Sequence, residues 1–192
     1  MVYGELGRYP IEIDIELRII SYWTKLSTIM YHLSYHTYMT KNLPLKWIKF
    51  TENIFHECGF SYIWDGQNFP HEDWLKAVIK RRLMDQFIQN WFSKIIDSPK
   101  AINYRIFKTK FEFEEYLNVL EYKNAVLLCR FRTCNTKLPI ETGRWLNIPR
   151  HDRVYILCNN RHIGDEYHYL LECQFVCSEE KRMFTKIFCY KR

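Results

Sequence analysis

Glycine and proline are scarce in this chain, which has only six of each among its 192 residues. This scarcity excludes a collagen-like or low-complexity chain. Global disorder is excluded as well, because aromatic residues make up 17% of the sequence and chains so rich in them bury a core. No apolar run approaches the roughly 20 residues that cross a bilayer, and residues 1–10 lack the continuous apolar stretch of an export signal. We therefore expect an intracellular protein with no membrane partner.

Cysteine occurs seven times, an odd number that speaks against a closed disulfide framework. In a reducing compartment, cysteines are buried, reactive or metal-bound rather than bridged. The net charge of +6 is modest, so it permits a nucleic-acid or other acidic partner without requiring one.

Hydrophobic residues recur every three or four positions through most of the chain, which predicts a mainly α fold. The predicted helices cover residues 11–36, 45–58, 70–97, 101–108, 112–120 and 123–133. Gly59 is expected to end the second helix, and residues 60–64 are expected to be a short extended piece. We therefore predict a multi-helix body with a small C-terminal knuckle-like module, built from a short β-hairpin or turn plus a helix.

Positive charge is concentrated in residues 130–161, where seven basic residues face two acidic ones, a net charge of +5. Proline and glycine within this stretch predict that part of it is a loop. Arginines here can bind RNA or DNA phosphates, although surface arginines are also often solvated or paired with carboxylates. The candidate phosphate-binding residues are Arg130, Arg132, Arg144, Arg150 and Arg153.

Cys158, His168 and Cys173 have the spacing of a zinc knuckle, in which a turn with one thiolate precedes a helix that offers His and Cys. Structural zinc sites use four ligands, and the position that a C-x-x-C turn would give to the fourth is Tyr155. The candidates for that fourth ligand are Cys177 and His162. The opposing interpretation treats the helical cysteines as small buried hydrophobic residues. The sequence therefore predicts a degenerate zinc site.

The C-terminal third contains Gly143-Arg144, Ile148-Pro149-Arg150, Leu157-Cys158-Asn159, Gly164-Asp165-Glu166-Tyr167-His168 and Cys173. In this order, these motifs resemble the carboxy-terminal region of non-LTR retrotransposon reverse-transcriptase polyproteins, where a basic entry precedes a Cys-Cys-His-Cys zinc knuckle. Residues 4–10 and 85–92 also look like the connector that follows the polymerase in such proteins. The resemblance therefore covers essentially the whole chain.

This resemblance implies a helical connector-like body over residues 1–130, followed by an Arg-rich loop and a degenerate zinc-knuckle-like module over residues 131–192. It implies zinc ligands at Cys158, His168 and Cys173 only, because Tyr155 replaces the first cysteine of the knuckle. It also implies a nuclear location, and an upstream polymerase domain as a protein partner.

The residues that catalyse polymerisation are not found. A reverse transcriptase holds two Mg²⁺ ions with an aromatic-x-Asp-Asp hairpin and a partner Asp, and this sequence has no Asp-Asp pair. We therefore expect no enzyme, but a non-catalytic nucleic-acid-binding remnant of a reverse-transcriptase protein. Two alternatives stay open: a helical protein-interaction or scaffold module that uses the apolar face of the 70–97 helix, and a fossil reading frame without a selected activity.

Overall fold

The structure is a computed structural model that describes residues 1–30, 46–66, 70–156 and 161–174. This part of the chain is mainly helical and contains no β-strand, which confirms the predicted fold class. None of its helices combines the length and apolar character that a membrane crossing requires. The α-helices, in chain order, are α1 Val2–Leu6, α2 Ile11–Met30, α3 Lys46–Glu57, α4 Ser61–Gly66, α5 Glu72–Asp97, α6 Tyr104–Phe107, α7 Tyr116–Val119, α8 Tyr122–Arg132 and α9 Pro139–Trp145. A 3-10 turn at Arg150–Asp152 and a π-helical turn at His168–Glu172 follow them.

The chain divides into two compact units. The middle unit is residues 9–91, and the split unit is residues 1–8 together with residues 92 onward. The boundary that the sequence predicts after residue 130 lies inside the split unit and stays a prediction.

The middle unit has a core in which aromatic rings from three helices meet. The ring of Trp23 on α2 lies 4.8 Å from that of Phe55 on α3 and 5.9 Å from that of Trp64 on α4, between centroids. Leu75 and Ile79 on α5 are fully buried in the same cluster. Such offset and edge-on ring pairs contribute about 0.5–1.5 kcal/mol beyond the area that they bury.

Gly59 ends α3 as predicted, in a left-handed conformation with φ of 81°. The N–H of Gly59 donates to the carbonyl of His56, and that of Phe60 to the carbonyl of Phe55 at 2.7 Å. These bonds satisfy carbonyls at the end of the helix that have no helical partner.

The extended piece expected over residues 60–64 is wrong, because Ser61–Gly66 forms α4. Ile63 and Trp64 are 2% and 3% exposed. Neighbouring residues in a strand point to opposite faces, so only a helical turn brings both side chains into one core.

The split unit is built from short helices. Pro139 occupies the first turn of α9, where a proline is tolerated because its missing N–H has no helical partner. The predicted loop is confirmed for part of the Arg-rich stretch, since residues 133–138 and 146–149 lie outside the helices, whereas Pro139–Trp145 is helical. The predicted β-hairpin is not supported, since the described residues there form only an isolated antiparallel bridge between Val154 and Ile163.

Four charged side chains are buried together in the split unit. The Arg132 guanidinium donates to Glu5 at 2.9 Å and lies 3.1 Å from a carboxylate oxygen of Glu114. The Lys108 ammonium lies 2.6 Å from the other oxygen of Glu114. The Tyr116 hydroxyl donates to Glu5 at 2.5 Å. Two cations and two carboxylates are thus balanced, and burial together with the hydrogen bond to Glu5 raises the pKa of Tyr116.

Arg132→Met should lower the free energy of unfolding by about 3–5 kcal/mol, because it leaves Glu5 and Glu114 buried without their shared cation. Urea denaturation followed by circular dichroism measures this loss. Lys76→Ala is the matched control: it removes the partly exposed pair with Glu72, at a cost of less than about 0.5 kcal/mol. An Arg132→Met protein as stable as Lys76→Ala would contradict the assignment.

Candidate functional site

Three of the five candidate arginines surround one small cavity of the split unit. Arg144, Arg150 and Arg153 line it together with Lys100, Glu141 and Glu166. Its volume is about 20 Å³, enough for about one water molecule. The sequence thus identified the three lining arginines but missed Lys100, which lies outside the basic stretch 130–161.

The cations at the cavity differ in how strongly they are engaged. Arg144 donates to Glu141 at 2.7 Å, and Lys100 lies 3.8 Å from the same carboxylate. Arg150 is 3.7 Å from Asp165. The side chains of Arg144 and Arg150 remain 32% and 38% exposed, so both can meet an anion from solvent.

Arg153 is engaged by the backbone. Its guanidinium donates to the carbonyls of Ile148 at 2.8 Å and Ile140 at 3.0 Å, and its methylenes lie against the backbone of Gly143. These contacts tie the end of α9 to the turn at Arg150–Asp152. Arg153 therefore shapes the cavity wall more than it offers donors to a ligand.

The two remaining candidates lie on α8. Arg130 is exposed, whereas the side chain of Arg132 is only 7% exposed and holds Glu5 and Glu114. A phosphate cannot reach that guanidinium without breaking the buried cluster. We therefore leave Arg132 out of the candidate interface.

Gly164 lets its backbone pack closely against the first turn of α9. The N–H of Ile140 donates to the carbonyl of Gly164, and the N–H of Gly164 donates to the carbonyl of Arg153 at 2.8 Å. A Cβ on Gly164 would lie within 2.6–2.9 Å of three ring atoms of Pro139. This contact with a rigid ring explains a glycine in the Gly-Asp-Glu motif.

Glu166 is a buried carboxyl on the cavity wall. It accepts a hydrogen bond from Asn103 at 2.9 Å and one from Thr136 at 3.3 Å. Burial raises its pKa above the ordinary value of 4.5, although both hydrogen bonds oppose the shift. The carboxyl is thus held by neutral donors and has no cation within ion-pair distance among the described residues.

A second group of functional side chains lies around His168, one of the predicted zinc ligands. Donor atoms of His162, His168 and Glu172 all lie within 4.8 Å of one another. The Nδ1 atom of His168 is 3.2 Å from Glu172, and the ring of His162 stacks on that of His168 at 5.1 Å. Sequence reasoning identified both histidines but missed Glu172, although its i,i+4 spacing from His168 is a usable signal.

The predicted cysteine ligands are placed differently. Cys173 is buried and donates its backbone N–H to the carbonyl of His168 at 2.8 Å, but its thiol is not part of the His–His–Glu group in the described residues. Cys158 and Cys177 lie outside the described residues. The zinc set implied by the resemblance therefore stays a prediction.

Thiol chemistry is disfavoured at two buried cysteines. Burial raises the pKa of Cys58 to about 11 and that of Cys134, on the cavity wall, to about 12. The thiolate is the nucleophilic form. Both side chains are therefore protonated and unreactive at neutral pH.

Comparison with protein-family models, with curated proteins and with solved structures gave no match. No relative therefore assigns a family or an activity to the chain. The functional assignment depends on the chemistry of the side chains described above.

Glu166→Gln should stabilise the protein increasingly as the pH rises above about 4.5, the ordinary pKa of the carboxyl. The folded state raises this pKa, so it binds a proton that the unfolded chain has released, and stability falls with rising pH through that window. Glutamine keeps an acceptor for Asn103 and a donor for Thr136 without ever ionising. Urea denaturation of both proteins between pH 4 and pH 8 measures the difference.

Glu115→Gln removes an exposed carboxylate and controls for the loss of one negative charge. A stability difference between wild type and Glu166→Gln that is independent of pH, or that shrinks as the pH rises, would contradict the raised pKa.

Proposed function

We propose that this chain is a non-catalytic nucleic-acid-binding protein, a remnant of a retrotransposon reverse-transcriptase protein, that contacts phosphates through its Arg-rich segment. The observation that carries the proposal is the convergence of Arg144, Arg150 and Lys100 on one cavity. They come from two segments more than 40 positions apart, and each is partly exposed.

The charge at the cavity favours an anion. Four cationic side chains line it with two carboxylates, and Asp165 pairs with Arg150 from outside the lining, so the net charge is +1 if all three acids are ionised. Glu166 is one of the two lining carboxylates, and its raised pKa lowers its negative charge on average. A guanidinium has five N–H donors in a planar fork, so the contacts of Arg144 and Arg150 with carboxylates leave donors for phosphate oxygens.

An exposed aromatic ring adjoins these cations. Trp145 is 77% exposed, and the Arg144 guanidinium lies 5.5 Å from the centre of its ring. An accessible indole next to a guanidinium suits a single-stranded nucleic acid, since bases stack on aromatic rings while cations follow the backbone. Phosphate contacts and stacking both tolerate many sequences, so we expect binding with weak sequence preference.

The alternative function, protein interaction through the apolar face of α5, receives less support. Leu75, Ile79 and Leu83 of that face are packed in the core of the middle unit. Trp74 and Ile96 on the same helix are 48% and 60% exposed, but they lie 22 positions apart along the helix and so form no continuous apolar patch for a partner. The nucleic-acid proposal rests on several residues that face solvent.

Arg144→Ala and Arg150→Ala should each weaken binding to a fluorescent single-stranded oligonucleotide several-fold, and equally for different sequences, because phosphate contacts carry no sequence information. Each loss should also reduce the slope of log K against log salt by about 0.7, the counterions released per phosphate of a single strand. Fluorescence anisotropy over a salt series measures both quantities.

Lys80→Ala is the matched control, since Lys80 is an exposed cation on α5 and should leave the affinity unchanged. Circular dichroism verifies that the Arg144 variant is folded despite the loss of its bond to Glu141. A wild-type affinity that does not depend on salt would refute the phosphate contacts, and an equal loss in all three variants would refute this location.

A further inference from the structure

The imidazole of His168 is buried, and its hydrogen bonding is incomplete. The residue is 3% exposed, and its Nε2 atom has no hydrogen-bond partner among the described residues. The ring therefore meets its polar neighbours through the other nitrogen, Nδ1.

The neighbours of His168 supply further donors. Its Nδ1 atom lies 3.2 Å from a carboxylate oxygen of Glu172. Neighbouring donors of a tetrahedral zinc ion lie about 3.3 Å apart, as follows from zinc–nitrogen distances of about 2.0–2.1 Å. One nitrogen and one oxygen are therefore already at coordinating separation.

His162 completes the group from the other side. Its ring lies nearly parallel to that of His168, with an interplanar angle of 17°, and all three donors lie within 4.8 Å of one another. The side chains of His162 and Glu172 are exposed, so rotation about their side-chain torsions can close the remaining distance of about 1.5 Å at little cost.

We infer that His162, His168 and Glu172 bind one divalent transition-metal ion, with water in the remaining position. Two imidazoles and a carboxylate suit zinc, and also cobalt and nickel. The donor of His168 is Nδ1, the nitrogen 3.2 Å from Glu172, so Nε2 carries the ring proton. This donor set has no thiolate, so it differs from the cysteine-rich site that the resemblance implies, and it is independent of nucleic-acid binding.

The test uses the full chain, stripped of metal with a chelator and titrated with Zn²⁺ in a calorimeter. His162→Ala and Glu172→Gln change exposed side chains, so both variants should stay folded, as circular dichroism will verify. Each should weaken the binding of one zinc ion at least about tenfold. His151→Ala removes an exposed histidine that pairs with Asp152 and should leave the affinity unchanged.

Cys158→Ser and Cys173→Ser separate this site from a zinc knuckle. A zinc affinity that falls in His162→Ala and Glu172→Gln supports the site. An affinity that both of these variants retain, while either serine variant loses it, would assign the ion to thiolates and overturn the inference. A wild-type chain that binds no Zn²⁺ would overturn it as well.

Discussion

Four charged side chains are buried side by side in the split unit: Glu5, Glu114, Lys108 and Arg132. The protein interior accommodates each charge only because the opposite charges lie beside it. Removing one partner from such a group leaves a charge that the low-dielectric interior stabilises poorly. The backbone joins the same two segments, since the N–H of Glu114 donates to the carbonyl of Glu5 at 3.0 Å. These contacts explain why residues 1–8 belong with residues 92 onward, and they fix α8 and the arginines that it carries.

The sequence predicted those elements whose cause is local. The hydrophobic periodicity of α2, α3 and α5 is a property of each helix alone. Gly59 likewise indicates a helix end because glycine adopts the left-handed conformation without steric cost. The helix over Ser61–Gly66 depends on a core that needs Ile63 and Trp64 at once, and no local pattern shows this. Pro139 is a loop signal in the sequence, but proline suits the first turn of a helix equally well, and that is its place in α9.

Charge alone located the basic region, but it could not separate accessible arginines from structural ones. Arg132 has the same sequence appearance as Arg144, yet its carboxylate partner Glu5 is 127 positions away. Lys100 also lies outside the basic stretch, and only the fold brings it to the cavity. At the metal site, the sequence pointed to both histidines. Glu172 became a candidate ligand only in the structure, where a π-helical turn places it 3.2 Å from the ring of His168.

The hydrogen bond between the N–H of Ile140 and the carbonyl of Gly164, 3.0 Å long, joins the first turn of α9 to the Gly-Asp-Glu motif. The residues between them therefore form a closed loop, and the bonds of Arg153 to the carbonyls of Ile140 and Ile148 brace it from within. The entropy of closing such a loop grows only with the logarithm of its length, about 0.6 kcal/mol for each doubling. An insertion into this loop therefore costs little in closure entropy by itself, and its larger cost arises where it displaces Arg153 from these two carbonyls.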